Sequence, residues 1–103
     1  MSTVAITGAS GYVGSAIARC FRAHGWQVLE LGRRRAQRFA LGDDITIDWS
    51  GIDALVHCAW DFHVRDWADA ERVNIRGSVS LMESAYAADV RSGAFPADAE
   101  SYH

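Results

Sequence analysis

The chain alternates short apolar runs with segments of helical periodicity. Thr3–Thr7 is a run of apolar and β-branched residues that stops at a glycine, as a short buried strand does. Residues 27–31 form a second such run, and residues 53–59 form a nearly continuous third one. We expect strands at all three, the last of them covered on both faces, because continuous apolar runs are typical of buried parallel strands.

Two segments between and after these runs carry helical spacing. The first predicted helix follows the glycine turn and ends at Gly25, and its apolar stripe is Val13, Ile17, Cys20, Phe21 and His24. The second runs from Trp67 to about Ala88, where the apolar or small positions are Val73, Gly77, Leu81, Ala85 and Ala88. Residues 39–41 and 45–47 are alternative candidates for a further strand. Strands that alternate with helices predict an α/β fold with a parallel sheet and right-handed crossovers.

The turn between the first strand and the first helix contains three glycines at intervals of three residues. Gly8 permits a tight turn, Gly11 lets the backbone approach a pyrophosphate, and Gly14 lets the helix lie close to the strand. A helix start also offers unpaired N–H groups and a positive dipole end to an anion. The predicted pyrophosphate site consists of Gly8, Ser10, Gly11, Tyr12, Val13 and Gly14. A tight turn that binds nothing is the alternative.

Four sequence blocks occur together in a recognisable order: residues 7–14, 42–44, 53–59 and 73–77. The chain resembles the extended short-chain dehydrogenase/reductase family, of the NAD-dependent epimerase/dehydratase type, over about residues 3–90. This resemblance implies a Rossmann-type, doubly wound parallel sheet of about four strands in the order 3-2-1-4. It also implies an NAD(P)-binding domain over residues 1–90 and an irregular tail over 91–103 that resembles the start of the family's catalytic segment. The implied parent activity is that of an NAD(P)-dependent oxidoreductase, epimerase or dehydratase.

The tip of the second strand bears on the choice of cofactor. It reads Leu31-Gly32-Arg33-Arg34, and Glu30 lies inside the strand, where we expect it to point elsewhere. An acidic side chain at this tip suits the ribose 2′-hydroxyl of NAD, whereas arginine suits the 2′-phosphate of NADP. Arg33 and Arg34 therefore favour NADP, with NAD as the alternative; a solvated arginine cluster would look the same.

Other family positions are carried over from the resemblance alone. Asp43 or Asp44 resembles the aspartate beside the adenine, although an ordinary aspartate turn is an equal reading. Ala59 and Trp60 lie where the family's backbone passes the ribose and the nicotinamide. Asn74 matches a helix asparagine of the family, and a buried packing amide would look the same.

The resemblance breaks in the catalytic segment. Tyr102 stands at the position of the family's acid/base tyrosine and Ser92 at that of its serine, but the sequence contains no lysine to accompany the tyrosine. Only three residues separate Ala88 from Ser92, too few for the family's fifth strand, so the chain looks like a truncated family member. A non-catalytic nucleotide-binding or regulatory module and an inactive family fragment are the alternatives to an enzyme.

The net charge and the composition argue against several classes of binding partner. A net charge of −3 gives no basic surface for nucleic acid, and no apolar run reaches the length of a membrane span or forms a signal peptide. Cys20 and Cys58 lie in apolar surroundings, which predicts buried free thiols and a cytoplasmic location. His57 and Cys58 are adjacent and point to opposite faces of a strand, so we expect no metal site.

The strand at 53–59 is the expected edge of the sheet. It has no lysine, proline or other feature that protects an exposed edge from pairing. We therefore expect a homodimer through this edge, or aggregation, with the tail from residue 89 onward as a rival cover.

Overall fold

A computed structural model of the chain describes residues 1–35 and 37–92, with residues 90–92 described by their backbone alone. Its elements are β1 (Thr3–Thr7), α1 (Tyr12–Ala23), β2 (Gln27–Gly32), β3 (Gln37–Arg38), β4 (Ala54–His57), α2 (Trp67–Ala70), a π-helical segment (Glu71–Arg76) and α3 (Gly77–Ser92). A helix follows β1 and helical segments follow β4, whereas in the described residues no helix lies between β2 and β3 or between β3 and β4, contrary to the predicted alternation.

The described strands form one parallel sheet of four in the order β3-β2-β1-β4. In its register, Ala5 of β1 lies between Leu29 of β2 and Leu55 of β4. The predicted Rossmann-type sheet and its strand order are confirmed.

The third strand differs from both predicted candidates. It is the two-residue β3, which pairs with the end of β2, and neither 39–41 nor 45–47 is a strand. Phe39 and Ile47 are instead buried from loops, in one apolar cluster with Leu81 of α3. The apolar pattern that suggested strands reflects burial of loop side chains beneath the sheet.

The two faces of the sheet are covered by different helices. Val4 and Ile6 point toward α1 and are buried with Ala18, whereas Ala5 points to the opposite face and is buried with Leu81. This alternation along β1 is the period of two that a strand imposes. β1 is buried almost throughout, but every residue of β4 is only partly buried, so the expected cover on both faces is incomplete there.

Both helices differ in detail from their predicted form. In α1, Gly14 and Ala18 face the sheet, whereas Val13, Cys20 and His24 of the predicted stripe are exposed. The expectation of a buried thiol is thus wrong for Cys20, while Cys58 is partly buried. The second predicted helix is interrupted by the π-helical segment and continues to Ser92, beyond the expected end near Ala88. Residues 89–91 are therefore helical and form no strand.

Candidate functional site

The glycine turn after β1 is packed as tightly as its sequence predicts. Gly8 has a φ of +68°, and a Cβ there would lie 2.8 Å from the Ala59 nitrogen at the end of β4. A Cβ on Gly14 would lie 2.0 Å from the Gly8 carbonyl oxygen. The first glycine therefore lets β1 turn against β4, and the third lets α1 sit directly on the turn.

Gly11 has different surroundings from the other two. It is exposed, and a Cβ on it would have only the Gly8 oxygen nearby, at 3.3 Å. Its backbone N–H donates to that oxygen over 3.0 Å, and its φ of −80° is open to any residue. Space beside Gly11 is thus left on the outer side of the turn, where a ligand would lie.

The start of α1 has the electrostatic character of an anion site. Gly11 is the N-cap and supplies no side-chain hydrogen bond, and the first turn contains no acidic residue. The positive end of a twelve-residue helix is therefore left without an internal counter-charge. Tyr12 and Val13, the first residues of the helix, are 94% and 60% exposed.

A cleft of about 820 Å³ lies at the carboxyl ends of β1, β2 and β4. Its size falls within the usual range for small-molecule sites, and this edge of an open parallel sheet is where ligands bind. The predicted cofactor residues that line it are Gly8, Ser10, Arg33, Arg34, Ala59 and Trp60, whereas Gly11, Tyr12, Val13 and Gly14 of the predicted pyrophosphate site do not line it. Sequence reasoning missed Asp61 and His63, which also line the cleft from the loop after β4.

The arginine cluster divides into paired and unpaired members. Glu30 accepts a hydrogen bond from Arg22 of α1 over 2.9 Å and forms an ion pair with Arg35 over 2.9 Å. Arg38 pairs with Asp43 over 3.1 Å. Arg33 and Arg34 are exposed and form no ion pair with the residues that the structure describes, so their charges are available to the cleft.

Glu30 also lines the cleft, contrary to the expectation that it points elsewhere. Its two arginine partners offset its charge and engage its oxygens.

Asp43 and Asp44 lie apart from this cleft. Both border a second, smaller hollow of about 320 Å³ with Arg72 and Arg76. There the backbone comes close to the start of α3, since a Cβ on Gly77 would be 2.8 Å from the Gly42 nitrogen. The structure thus does not bring these aspartates together with the glycine turn.

Asn74 is buried and holds the backbone of the cleft wall. Its Oδ1 accepts from the Asp61 N–H over 2.7 Å, and its Nδ2 donates to the Asp61 carbonyl over 2.9 Å. The oxygen and the nitrogen of the Asn74 side-chain amide are therefore both hydrogen-bonded to one residue of the cleft lining. Asn74 acts on the cleft by positioning Asp61 and does not itself line it.

A chain of polar side chains lies beneath the cleft and was not singled out by its sequence. The buried Thr7 hydroxyl oxygen accepts from the Cys58 and Ala59 N–H groups, over 3.0 and 3.1 Å. The same hydroxyl is 2.6 Å from Nδ1 of His57, and Nε2 of His57 is 2.7 Å from the Ser78 hydroxyl. Burial lowers the pKa of His57 from its ordinary value of 6.5. Thr7 and His57 lie side by side in register, each as the last residue of its strand, β1 and β4. The position of each residue at the end of a predicted strand was the one signal in the sequence that could have indicated this contact.

The predicted catalytic residues are not assembled by the described part of the chain. Ser92 is the last residue of α3 and Tyr102 lies outside the described residues. Across the ranges 1–35 and 37–92, no helix is both long and apolar enough to cross a membrane.

Comparisons with known proteins agree with this geometry. The model of the NAD dependent epimerase/dehydratase family matches residues 4–97, and no curated protein matches the chain. Among solved structures, a short-chain dehydrogenase/reductase superfamily protein from Agrobacterium tumefaciens, crystallised with bound NAD, is similar at 26% identity and a TM-score of 0.64. That similarity covers 84% of this chain and 29% of the Agrobacterium protein. Since the family model covers most of its length, the chain belongs to the NAD-dependent epimerase/dehydratase family of short-chain dehydrogenases/reductases, whose cofactor class is a nicotinamide dinucleotide.

Proposed function

We propose that this chain is the NAD(P)-binding domain of an NAD(P)-dependent oxidoreductase, epimerase or dehydratase, and that it holds the pyrophosphate at the start of α1. One observation carries the proposal: α1 begins without a side-chain cap, and Gly8 and Ser10 of the turn that leads into it line a cleft of about 820 Å³. The Agrobacterium protein with bound NAD supports it, because the two folds are similar over 84% of this chain.

The preferred cofactor is NADP, with NAD as the alternative. Arg33 and Arg34 line the cleft without an ion-pair partner among the described residues, and Glu30 is already paired with two arginines. A charge-assisted contact to a 2′-phosphate contributes about 1.5–3 kcal/mol, which corresponds to a preference of roughly tenfold or more.

Fluorescence of the tryptophans tests binding and preference together. Trp60 lines the cleft, so titration with NADPH and with NADH should change the emission in both cases. NADPH should bind about tenfold more tightly, and Arg33→Ser should remove that preference. Arg19→Ser, which removes an exposed charge from α1, is the matched control and should leave the ratio unchanged. Equal affinities in the parent chain would contradict the NADP assignment.

A binding module without catalysis is the second candidate, and a specific observation favours it. The sequence has no lysine to accompany Tyr102, the family-like tyrosine. Ser92, its proposed companion, ends a helix. NADPH oxidation that depends on an added carbonyl substrate would establish a reductase, whereas cofactor binding without any reduction, epimerisation or dehydration of substrate would favour the module.

Two further proposals concern surroundings and partners. The chain forms a homodimer through the outer edge of β4, which no described strand covers.

The chain resides in a reducing compartment, the cytoplasm, because both Cys20 and Cys58 are free thiols and Cys20 is exposed. Thiol labelling in unlysed cells would show both cysteines reduced, and an oxidised Cys20 would contradict that location.

A further inference from the structure

His57 lies in a hydrogen-bond chain whose direction is set by Thr7. The Thr7 hydroxyl oxygen already accepts from two backbone N–H groups, those of Cys58 and Ala59. A hydroxyl has two acceptor positions and one proton, so the remaining interaction of this hydroxyl is donation to Nδ1 of His57, 2.6 Å away. Nδ1 is therefore an acceptor, and Nε2 carries the proton and donates to the Ser78 hydroxyl.

Protonation of the imidazole is incompatible with this arrangement. A cationic His57 would bring an N–H to the Thr7 oxygen, whose acceptor positions are filled. Cys58 can give up its bond, because its N–H also donates to the Thr7 carbonyl over 3.2 Å. The Thr7 hydroxyl proton would nevertheless lose its acceptor inside a fully buried side chain, which is costly.

The described side chains in contact with the imidazole would not stabilise a positive charge on it. The described side chains in polar or ring contact with it are the Thr7 hydroxyl from β1, the Ser78 hydroxyl from α3 and the Phe39 ring, and none of them carries a charge. The other titratable side chains of its strand end and the following loop are Cys58, Asp61, His63, Arg65 and Asp66. Of these, Asp61 and His63 line the cleft.

The chain of hydrogen bonds ends at the floor of the cleft. Ala59, whose N–H is held by Thr7, lines the cleft, and its nitrogen would be only 2.8 Å from a Cβ on Gly8. A change at the Thr7 hydroxyl is therefore transmitted to the contact between the glycine turn and the end of β4. We propose that neutral His57 is a positioning residue for the dinucleotide cleft, and that its protonation, acting through Thr7 and Ala59, weakens cofactor binding. This inference rests on the proposed function.

The test measures NADH affinity between about pH 7.5 and pH 5. NADH is the probe because the 2′-phosphate of NADPH itself titrates near pH 6, to judge from other phosphate monoesters. Loss of one hydrogen bond in the floor should weaken binding about threefold to tenfold over this range. In His57→Gln the amide keeps one acceptor and one donor and cannot titrate, so its NADH affinity should stay constant. His24→Gln and His63→Gln should both retain the fall in NADH affinity, since His57 is unchanged in each.

Nitrogen-15 spectra of the histidine rings give a second readout that needs no cofactor and no variant. At neutral pH, His57 should show an unprotonated Nδ1 and a protonated Nε2, and the opposite tautomer would overturn the inference. NADH affinity that does not change with pH in the parent chain would also overturn it while leaving the proposed function intact. If neither NADH nor NADPH binds at any pH, the proposed function fails, and with it the coupling to the cofactor.

Discussion

At the residue scale, the three glycines of the turn look alike in sequence and have different neighbours in the structure. A Cβ at Gly14 would lie 2.0 Å from backbone, whereas a Cβ at Gly11 would meet its nearest atom at 3.3 Å and otherwise point into open space. The spacing correctly predicted the tight turn at Gly8 and the close packing at Gly14, and the approach of a pyrophosphate at Gly11 stays a prediction. How well each glycine would tolerate a side chain depends on the distances between β1, α1 and β4. These distances cannot be deduced from the local sequence.

This difference separates binding from folding in two variants. Gly11→Val should retain the melting temperature of the parent, because its φ of −80° and ψ of 174° suit a β-branched residue. It should lose dinucleotide binding, because its side chain fills the space where the pyrophosphate approaches. Fluorescence titration and thermal unfolding of the same sample measure both effects.

Gly14→Ala is the matched variant with the opposite outcome. Its new methyl group would overlap the Gly8 carbonyl, so α1 must shift, at a cost of about 1–3 kcal/mol or more in the free energy of unfolding. A Gly14→Ala chain as stable as the parent, or a Gly11→Val chain that still binds cofactor, would contradict the assigned roles.

His57 gives the chain a pH-dependent stability of defined sign. Burial lowers its pKa below the ordinary 6.5, so the unfolded chain takes up a proton at a higher pH than the folded chain does. The contribution is therefore fully present above pH 6.5 and is lost as the pH falls from 6.5 toward the folded pKa. Urea unfolding should show this loss, with a slope of at most about 1.4 kcal/mol per pH unit for one proton.

The same experiment on His57→Gln isolates the histidine from the carboxylates. The loss between pH 6.5 and lower values should shrink in this variant and persist in His24→Gln, whose histidine is exposed on α1. An unchanged slope in His57→Gln would show that another group is responsible.

At the element scale, the helix predicted from Trp67 to Ala88 is an assembly of three segments. Val73, Gly77 and Leu81 of the predicted stripe are buried, whereas Ala85 and Ala88 are only partly buried. The π-helical segment at Glu71–Arg76 was not predicted, because the same residues suit an α-helix equally well. It contains Asn74, which reaches Asp61 in the cleft wall, and π-helical turns are frequent at functional sites.

Asn74→Ala tests the link between this segment and the cleft. The substitution leaves the Asp61 N–H and carbonyl without their partners, and each orphaned group costs about 1–3 kcal/mol if it stays buried. Amide exchange at Asp61 should accelerate and cofactor affinity should fall. Arg72→Ala, in the same segment, removes an exposed ion pair with Asp69 at 3.6 Å and should change neither measurement.

The short β3 marks the limit of pattern reasoning at this scale. Residues 39–41 and 45–47 are apolar enough for strands, yet Phe39 and Ile47 bury their side chains from loops. Burial of a side chain and pairing of its backbone are separate requirements, and only the first is visible in the hydrophobicity of the sequence.

The arginine cluster shows a similar limit. The sequence located the cluster, but only the structure divided it into the paired Arg35 and Arg38 and the available Arg33 and Arg34.

At the scale of the whole molecule, the fold was predictable because several independent rules agree on it. The predicted alternation of strands and helices and the glycine turn indicate a parallel sheet, and the family resemblance implies the order β3-β2-β1-β4 that the structure shows. The site was predictable only where it follows from this topology. Residues at the carboxyl ends of strands line the cleft, whereas Asp43, Asp44 and Asn74, which depend on loop and helix geometry, do not.

The edge strand β4 leads to the last prediction, which concerns association. Its residues Ala54–His57 are only partly buried, and its outer backbone groups meet no other described strand. Unpaired N–H and C=O groups on an apolar edge favour pairing with another chain, and two copies related by a twofold axis would pair their β4 strands antiparallel. Light scattering at micromolar concentration should therefore show a dimer or larger species. Amide exchange along Leu55 to Cys58 should slow as the concentration rises through the association range. A monomer in which these amides are protected at every concentration would show instead that the edge is covered from within the same chain.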